Sequence, residues 1–226
     1  MWQAICLAEE VGALLGRGSL LFRRLQASPF EEDGCMKRGF GLALAMLVVI
    51  GMSPAAADDL SAERAIVAQL QEPHRILLMR HALAPGIGDP AGFEVEDCAT
   101  QRNLSAEGRA QARETGERLR AAGLDAIRVF AGPWCRNFDT AELLGFGEPQ
   151  VLEALGSVFR ANESHRERRM RAWREHLAEE YRREGGPAVY VTHRANIMEL
   201  SGRSIGAGAM LVVAVDAEGN AQPVDP

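Results

Sequence analysis

Short apolar runs alternate with helical patterns along the chain after residue 57. Four of the runs are rich in β-branched residues and have the length of buried strands: residues 75–80, 126–131, 188–193 and 209–215. Strands that alternate with helices predict an α/β fold, here a three-layer α/β/α sandwich with a mainly parallel central sheet. The last strand follows a short connection, so we expect it to be an antiparallel neighbour.

Four helices are predicted around these strands. One is capped by Ser105, has Glu107 in its first turn and ends at Gly123. The others cover residues 134–144, most of 162–186, and 194–200. Two stripes are expected to face the core, formed by Ala110, Ala112 and Leu119 on the first helix and by Met170, Trp173, Leu177 and Tyr181 on the long charged one.

The segment before residue 58 has the pattern of a secretory signal. Two basic residues at 37–38 precede an apolar run over 41–52, and small residues then predict cleavage after Ala57. The apolar run is short for a spanning helix, which needs about 20 residues, so a retained anchor is the lesser alternative. We therefore expect a periplasmic or secreted protein with no stable membrane span after cleavage.

Residues 1–35 precede this signal, although a signal belongs at the start of a protein. The simplest interpretation is that Met36 is the true start and that 1–35 are not part of the natural protein. A real extension is the alternative, since this segment includes a stretch able to form an amphipathic helix. The expected organisation is a signal peptide over 36–57 and a single domain over 58–226.

Composition narrows the class of protein further. The chain has 226 residues, 47% of them hydrophobic, and a net charge of −6, which fits a globular domain and gives no sign of a nucleic-acid binder. Only Cys98 and Cys135 lie beyond the predicted cleavage site. In an oxidising compartment these two cysteines either pair or remain free buried thiols.

Cationic and imidazole side chains follow three of the predicted strands. Arg80 and His81 end the first, Arg136 follows the second, and His193 ends a later one. Arg102 lies just before a predicted helix. Ligands of open α/β sheets bind beyond the carboxyl ends of the strands, so we expect these groups to form one anion site. Guanidinium groups donate paired hydrogen bonds to phosphate.

A histidine in such a site can also react. Neutral imidazole is a nucleophile near pH 7, and its attack on phosphorus would give a phosphohistidine that water hydrolyses. Arginines would stabilise the phosphoryl oxygens during transfer, and no metal or other cofactor is required. A single histidine at a strand end usually has a structural role; here the placement of several cationic groups at strand ends favours chemistry.

These residues resemble the histidine phosphatase superfamily, which includes phosphoglycerate mutases and acid phosphatases. The Arg-His-Gly marker appears as "LMRHA", with Ala82 in place of glycine. Two further markers resemble "AGPWCRNFDTAELL", which contains Arg136, and "VYVTHRANIMELSG", which contains His193. The segment "RNLSAEGRAQAR" resembles the opening of the family's first helix. The resemblance runs from about residue 75 to 205 and is closest to the short single-domain phosphatases of branch 1.

The resemblance implies a phosphoglycerate mutase-like fold and a role for each site residue. His81 would be the phosphorylated nucleophile. Arg102, with Asn103 beside it, would bind substrate or phosphate. The side chains around the phosphoryl group would be Arg80, Arg136 and His193.

The chain departs from the family pattern at the proton donor. The usual acidic position is occupied by Ser157, and only Glu153 and Glu163 are available nearby as weak candidates. A leaving group of low pKa departs without protonation, so the missing acid favours either an activated phosphoryl substrate or an acid supplied from elsewhere in the protein. Ala82 should be tolerated in place of glycine if its φ is negative.

The positions of the two cysteines gain meaning from the same resemblance. Cys98 lies four residues before Arg102, and Cys135 directly precedes Arg136. If both arginines face one phosphate, the two sulfur atoms come within bridging distance. We therefore predict a disulfide that braces the wall of the pocket.

The leading functional prediction is an exported, metal-independent phosphatase that acts on a phosphate ester or phosphoramidate. Its substrate would be a phosphorylated small molecule or an envelope glycan. The alternative is a phosphate-binding module of the same fold with little turnover. A zinc site is disfavoured because clustered arginines repel a cation and the cysteines lack close ligand spacing. A mutase is disfavoured because so short a chain has little inserted sequence to cover its product.

Overall fold

Five α-helices and six β-strands make up the part of the chain that the computed structural model describes, residues 54–224, which belong to one compact unit. The helices are α1 (Pro54–Leu70), α2 (Ala106–Ala121), α3 (Cys135–Leu143), α4 (Glu163–Arg182) and α5 (Arg194–Ser201). The strands are β1 (Arg75–Arg80), β2 (Arg128–Ala131), β3 (Gln150–Val151), β4 (Ala188–Thr192), β5 (Met210–Val215) and β6 (Ala221–Pro223). Two 3-10 turns cover Cys98–Thr100 and Glu153–Leu155.

All six strands form one sheet, in the order β3-β2-β4-β1-β5-β6. The first four are parallel to one another, and β5 pairs antiparallel with β1 and with β6. The predicted α/β class and mainly parallel sheet are therefore confirmed, as is the antiparallel strand after the last helix. The carboxyl ends of β1, β2 and β4 lie side by side, which sets the place of the functional groups.

Helices cover both faces of the sheet and give it two cores. Leu78 and Tyr190 face a cluster that includes Trp173 of α4, whereas Leu77 and Val189 face a cluster shared with the helices on the opposite side. Successive residues of β1 and β4 thus bury their side chains on opposite faces. This double burial explains why both strands are continuously apolar in sequence rather than alternating.

Several local features differ from the sequence predictions. Helix α1 was not predicted as an element of the domain, and the short edge strands β3 and β6 were also missed. On α2, Ala110 is exposed, whereas glycines stand beside Ala112 and Leu119 on the buried face. Small residues near the predicted stripe thus complete the buried face, and glycine allows the closest approach between elements.

The predicted signal segment lies outside the described residues, except for residues 54–57, which form the first turn of α1. The predicted cleavage site therefore falls inside this helix. Within residues 54–224, no helix is both long enough and apolar enough to cross a membrane.

Gly108 brings α2 against the loop that carries the candidate site. A Cβ at this position would overlap the backbone carbonyl of Leu83, two residues after His81. Glycine to alanine normally stabilises a helix, but here we expect Gly108→Ala to lower the free energy of unfolding by about 1–3 kcal/mol, because backbone must move. Denaturant unfolding measures this change.

Gly206→Ala is the matched control, because a Cβ there meets no atom within 4 Å and the backbone φ is not positive. Its stability should stay within about 0.5 kcal/mol of the wild-type value. A Gly108→Ala protein as stable as the wild type would show that α2 does not approach this loop so closely.

Candidate active site at the carboxyl ends of the strands

The sheet brings the two predicted histidines together. His81 follows β1, His193 follows the neighbouring strand β4, and their rings meet edge to face with centroids 5.5 Å apart. Arg80 is the last residue of β1, and Arg136 lies in the first turn of α3, after β2. Side chains that are more than a hundred residues apart in sequence therefore share one edge of the sheet.

The backbone fixes which nitrogen of His81 is available. Its Nδ1 donates to the carbonyl oxygen of Ala82 at 2.8 Å. A carbonyl only accepts, so Nδ1 carries the proton and Nε2 keeps its lone pair. The Ala82 N–H donates to Thr140 Oγ1 at 3.0 Å, which holds this turn against α3. Ala82 is not among the residues with positive φ, so alanine replaces glycine there without backbone strain.

Both histidines are buried and neutral. Burial, followed by the charges of nearby arginines, lowers the pKa of His81 from 6.5 to about 3, although its hydrogen bond to Ala82 acts in the opposite direction. Burial, followed by the charge of Arg136, also lowers the pKa of His193 well below its ordinary value. At pH 7 neither imidazole repels the arginines, and the Nε2 of His81 is an unprotonated base.

Arg136 is held by a carboxylate that the sequence analysis did not single out. Its Nη1 and Nη2 donate to the two oxygens of Asp89 at 2.6 and 3.1 Å, and both side chains are almost fully buried. Nη1 also donates to the Arg102 carbonyl at 3.2 Å. The Nε atoms of Arg136 and Arg80 are buried and have no hydrogen-bond partner among the described residues. Two guanidinium donors are thus left for a bound group.

The predicted substrate-binding pair lies beside this arginine. Arg102 donates to the carbonyl of Gly88 at 2.8 Å and also to that of Ala84, so it anchors the loop after β1. Its charge is close enough to contribute to the lowered pKa values of both histidines. Asn103 donates to the Cys98 carbonyl at 2.6 Å. Binding of substrate by Arg102 and Asn103 stays a prediction.

Two helices begin at the same edge of the sheet. The N-cap residue of α3 is Trp134 and that of α5 is His193, and neither caps the helix with a side-chain hydrogen bond. The first N–H of α3, that of Cys135, donates to Gln101. The positive ends of both helix dipoles nevertheless add to the attraction for an anion at this edge.

Neither of the two glutamates considered as proton donors makes a hydrogen bond or an ion pair with His81, His193 or a site arginine in the described part of the chain. Glu153 is exposed at the start of a 3-10 turn, and Glu163 is exposed in the first turn of α4, 3.5 Å from Arg166. Ser157 accepts from the Phe159 N–H at 3.3 Å. Among the described residues, the carboxylate that contacts a site arginine is that of Asp89, not that of either candidate.

Sequence reasoning also missed the neighbours of His193. Asn137 is fully buried and its Nδ2 donates to His193 Nε2 at 2.8 Å, while the ring of Trp134 meets His193 edge to face at 5.3 Å. Asn137 directly follows Arg136, which was the only signal available. Its side chain gains meaning only when α3 is placed against the end of β4.

Cys98 and Cys135 lie with their sulfur atoms at bonding distance and their Cα atoms 5.7 Å apart. Gln101 connects the same two segments, since its Oε1 accepts from the Cys135 N–H at 3.1 Å. The pairing joins the loop that carries Asp89 to the first turn of α3. That a disulfide between these cysteines braces the wall of the site stays a prediction.

We expect the oxidised protein beginning at Asp58 to contain no free thiol. A crosslink across 37 residues removes chain entropy from the unfolded state, so its reduction should lower the free energy of unfolding by about 2–4 kcal/mol. Non-reducing mass spectrometry and denaturant unfolding with and without reductant measure both effects. Two alkylatable thiols in the native oxidised protein would contradict the prediction, and a Cys98→Ser/Cys135→Ser protein, which should not respond to reductant, is the control.

Metal ligands are not clustered in this part of the molecule. Within the described range, no group of three or more His, Cys, Asp or Glu side chains is arranged to hold a metal ion.

The site segments match a known protein family. Residues 76–159, from β1 to just before α4, match the model of the histidine phosphatase superfamily, branch 1. The resemblance predicted from the sequence is therefore confirmed: the stretch that contains Arg80, His81 and Arg136 matches the model of this superfamily. His193 lies beyond the matched stretch.

Three of the solved structures that this chain matches are named as phosphatases. The protein histidine phosphatase SixA, complexed with tungstate, is 20% identical over 66% of this chain and 94% of that one, with a TM-score of 0.47. A mycobacterial glucosyl-3-phosphoglycerate phosphatase is 16% identical over 67% and 96%, with a TM-score of 0.47. Phosphoserine phosphatase from Entamoeba histolytica is 12% identical over 67% and 95%, with a TM-score of 0.47. No curated protein sequence matches significantly.

Proposed function

We propose that the protein is a metal-independent phosphatase that works through a phosphohistidine on His81. The observation that carries this proposal is a buried, neutral His81 whose Nε2 is unprotonated, at a strand-end site to which Arg80, Arg102 and Arg136 bring positive charge. A neutral nucleophile beside a cationic surface suits attack on a phosphate dianion.

Each proposed step balances without a metal. The lone pair of His81 Nε2 attacks phosphorus, the bond to the leaving group breaks, and the leaving group departs with the bonding electrons. Water then attacks the phosphohistidine, the N–P bond breaks, and inorganic phosphate leaves as the water proton passes to solvent or to the phosphate. The unpaired Nε donors of Arg80 and Arg136 stabilise the phosphoryl oxygens in both steps.

The expected substrate preference follows from the state of Asp89, which within residues 54–224 is the carboxyl group that contacts a site arginine. Burial favours a raised pKa for Asp89, but its hydrogen bonds from Arg136 and from the Arg102 backbone outweigh burial and keep the pKa low. An ionised carboxylate cannot protonate a leaving group. We infer that the enzyme prefers activated phosphoryl donors, such as phosphoramidates and aryl or acyl phosphates, over alkyl phosphates such as sugar phosphates.

A series of phosphate esters and phosphoramidates with graded leaving-group pKa tests this proposal. We expect kcat/KM to fall steeply as the pKa of the leaving group rises, because departure is not assisted by a proton. Equal rates on aryl and alkyl phosphates would show that a proton donor operates. Absence of turnover on every substrate, together with measurable binding of inorganic phosphate, would instead favour the phosphate-binding module.

The proposed cellular location is the periplasm or the exterior. Glu63, Val67 and Leu70 of α1 are buried and all follow Ala57, so cleavage there would keep these three packing residues. N-terminal sequencing of the natural protein should give Asp58 as the first residue. A mature protein that starts at Met1 or Met36 would exclude this processing.

A further inference from the structure

The carboxylate of Asp89 does not fit any role assigned above, although it makes the closest contacts of Arg136. We propose that Asp89 is a positioning residue that grips the Arg136 guanidinium from its far end and turns the Nε edge toward the phosphoryl group. This inference rests on the proposed function for the place of the phosphoryl group, beside His81.

The guanidinium of Arg136 donates hydrogen bonds from its Nη1–Nη2 end but not from its Nε edge. Of its five N–H groups, one on Nη1 and one on Nη2 bond Asp89, and the second on Nη1 bonds the Arg102 carbonyl. The second hydrogen on Nη2 and the hydrogen on Nε bond no acceptor among the described residues, and Nε is buried. These two hydrogens point along the same edge of the planar group, which matches two oxygens of a phosphoryl group.

The carboxylate is fixed from three directions. Asp89 Oδ1 also accepts from the Arg102 N–H at 3.1 Å, and Oδ2 also accepts from Trp134 Nε1 at 3.1 Å. Its four lone-pair sites are therefore all used, which leaves none for a proton to be given to substrate. The two additional bonds do not involve the guanidinium, so the carboxylate stays in place whether or not Arg136 moves.

The hydrogen bonds of the Asp89 loop also argue against an alternative role, in which the carboxylate occupies the phosphate site and has to move before phosphate binds. Arg102 holds the carbonyls of Ala84 and Gly88, the residues that lead into Asp89. A carboxylate that blocks the site and leaves when phosphate binds would need a mobile loop. This loop is instead hydrogen-bonded at several points to the segment before α2 and to the start of α3. Asp89 therefore belongs to the fixed frame of the site.

Asp89→Asn tests the proposal, because it keeps the size of the side chain but removes its charge and one acceptor. Without the paired hydrogen bonds to an ionised Asp89, the Arg136 guanidinium can rotate. We therefore expect inorganic phosphate to bind at least about 10-fold more weakly, as measured by calorimetry. On a good aryl phosphate, KM should rise because the donors bind the substrate phosphate, and kcat should fall because these contacts strengthen as the phosphoryl group transfers. Asp139→Asn is the matched control: it breaks another Arg–Asp pair of α3, with Arg109 at 2.6 Å, away from the histidines.

The outcomes separate the possible roles of this carboxylate. Tighter phosphate binding by Asp89→Asn would make Asp89 a competing anion and overturn the proposal. Phosphate binding and kinetics equal to those of the Asp139→Asn control would make it a structural residue only and also overturn it. A wild-type protein that binds phosphate but hydrolyses nothing would reject the proposed function. The role of Asp89 would still be decided, because phosphate affinity can be measured without turnover.

A second variant covers the case in which Asp89→Asn does not fold. Trp134→Phe keeps the ring beside His193 but removes the single Nε1 hydrogen bond to Asp89. We expect phosphate to bind about 3-fold more weakly, because the carboxylate loses one neutral donor but keeps its other three hydrogen bonds. Unchanged phosphate affinity in a folded Trp134→Phe protein, checked by thermal melting, would count against the proposal.

Discussion

His81→Ala is expected to abolish turnover, with kcat lower by roughly 10⁴-fold or more, because no other described side chain offers an unprotonated nitrogen at that position. Phosphate should still bind, since the arginines remain. Steady-state kinetics on an aryl phosphate and calorimetry with inorganic phosphate measure the two effects separately. A variant that keeps even a tenth of the wild-type rate would mean that another group attacks phosphorus.

The same variant has a second readout in its response to pH. The pKa of His81 is about 3 in the folded protein and about 6.5 when unfolded, so between these values only the unfolded chain binds this proton. The stabilisation that comes from keeping His81 neutral in the folded protein is thus complete above about pH 6.5 and is lost as the pH falls toward 3. The unfolding free energy of His81→Ala should fall less steeply across this window than that of the wild type.

His74→Asn is the matched control for both measurements. His74 precedes β1 at its opposite end, where it stacks on Tyr181, and its φ of 58° is one that asparagine tolerates. It should keep wild-type kcat and KM. A comparable loss of activity in this variant would indicate that the effect of His81→Ala is not chemical.

Arg136→Ala is expected to have the second-largest effect, in activity and stability together. Loss of a donor that stabilises transferring charge costs about 10²–10³-fold in kcat/KM. Removal of the guanidinium also leaves the Asp89 carboxylate buried without its ionic partner, which should lower the free energy of unfolding by about 3–5 kcal/mol. Kinetics and denaturant unfolding on the same preparation give both values.

Two further variants separate the two effects of Arg136→Ala. Arg136→Ala/Asp89→Ala removes the unpaired charge, so it should recover part of the stability and none of the activity. Arg109→Ala is the control for loss of an exposed ion pair and should cost less than about 1 kcal/mol, with activity unchanged. Wild-type phosphate affinity in Arg136→Ala would contradict a phosphate-binding role for this side chain.

Much of the site was predictable because several of its residues stand at the carboxyl ends of strands that the sequence itself reveals. The predicted bounds of β1 agree with the observed ones, and those of β2, β4 and the four predicted helices differ by only a few residues. Parallel strands place their carboxyl ends at one edge, so Arg80, His81 and His193 could be grouped without knowledge of any contact. The apolar periodicity that located these strands is set by burial on two faces, which leaves a strong local signal.

The residues that sequence reasoning missed depend on contacts between distant segments. Asp89 lies in a glycine-containing loop with no periodicity, and nothing local pairs it with Arg136, which is 47 residues away. Asn137 shows its role only against His193, 56 residues away. Helix α1 was missed for a different reason, since its first turn overlaps a segment that reads as the end of a signal peptide.

Identification of the phosphorylated nitrogen is the most direct test of the central claim. The enzyme is mixed with a labelled aryl phosphate, stopped within milliseconds in alkaline denaturant, which preserves N–P bonds, and analysed by peptide mapping and phosphorus NMR. One phosphoryl group should appear on the peptide that contains His81, attached to Nε2, because Nδ1 is engaged by the Ala82 carbonyl. A label on His193, on Nδ1 of His81, or on no histidine in a protein that turns over would contradict the claim.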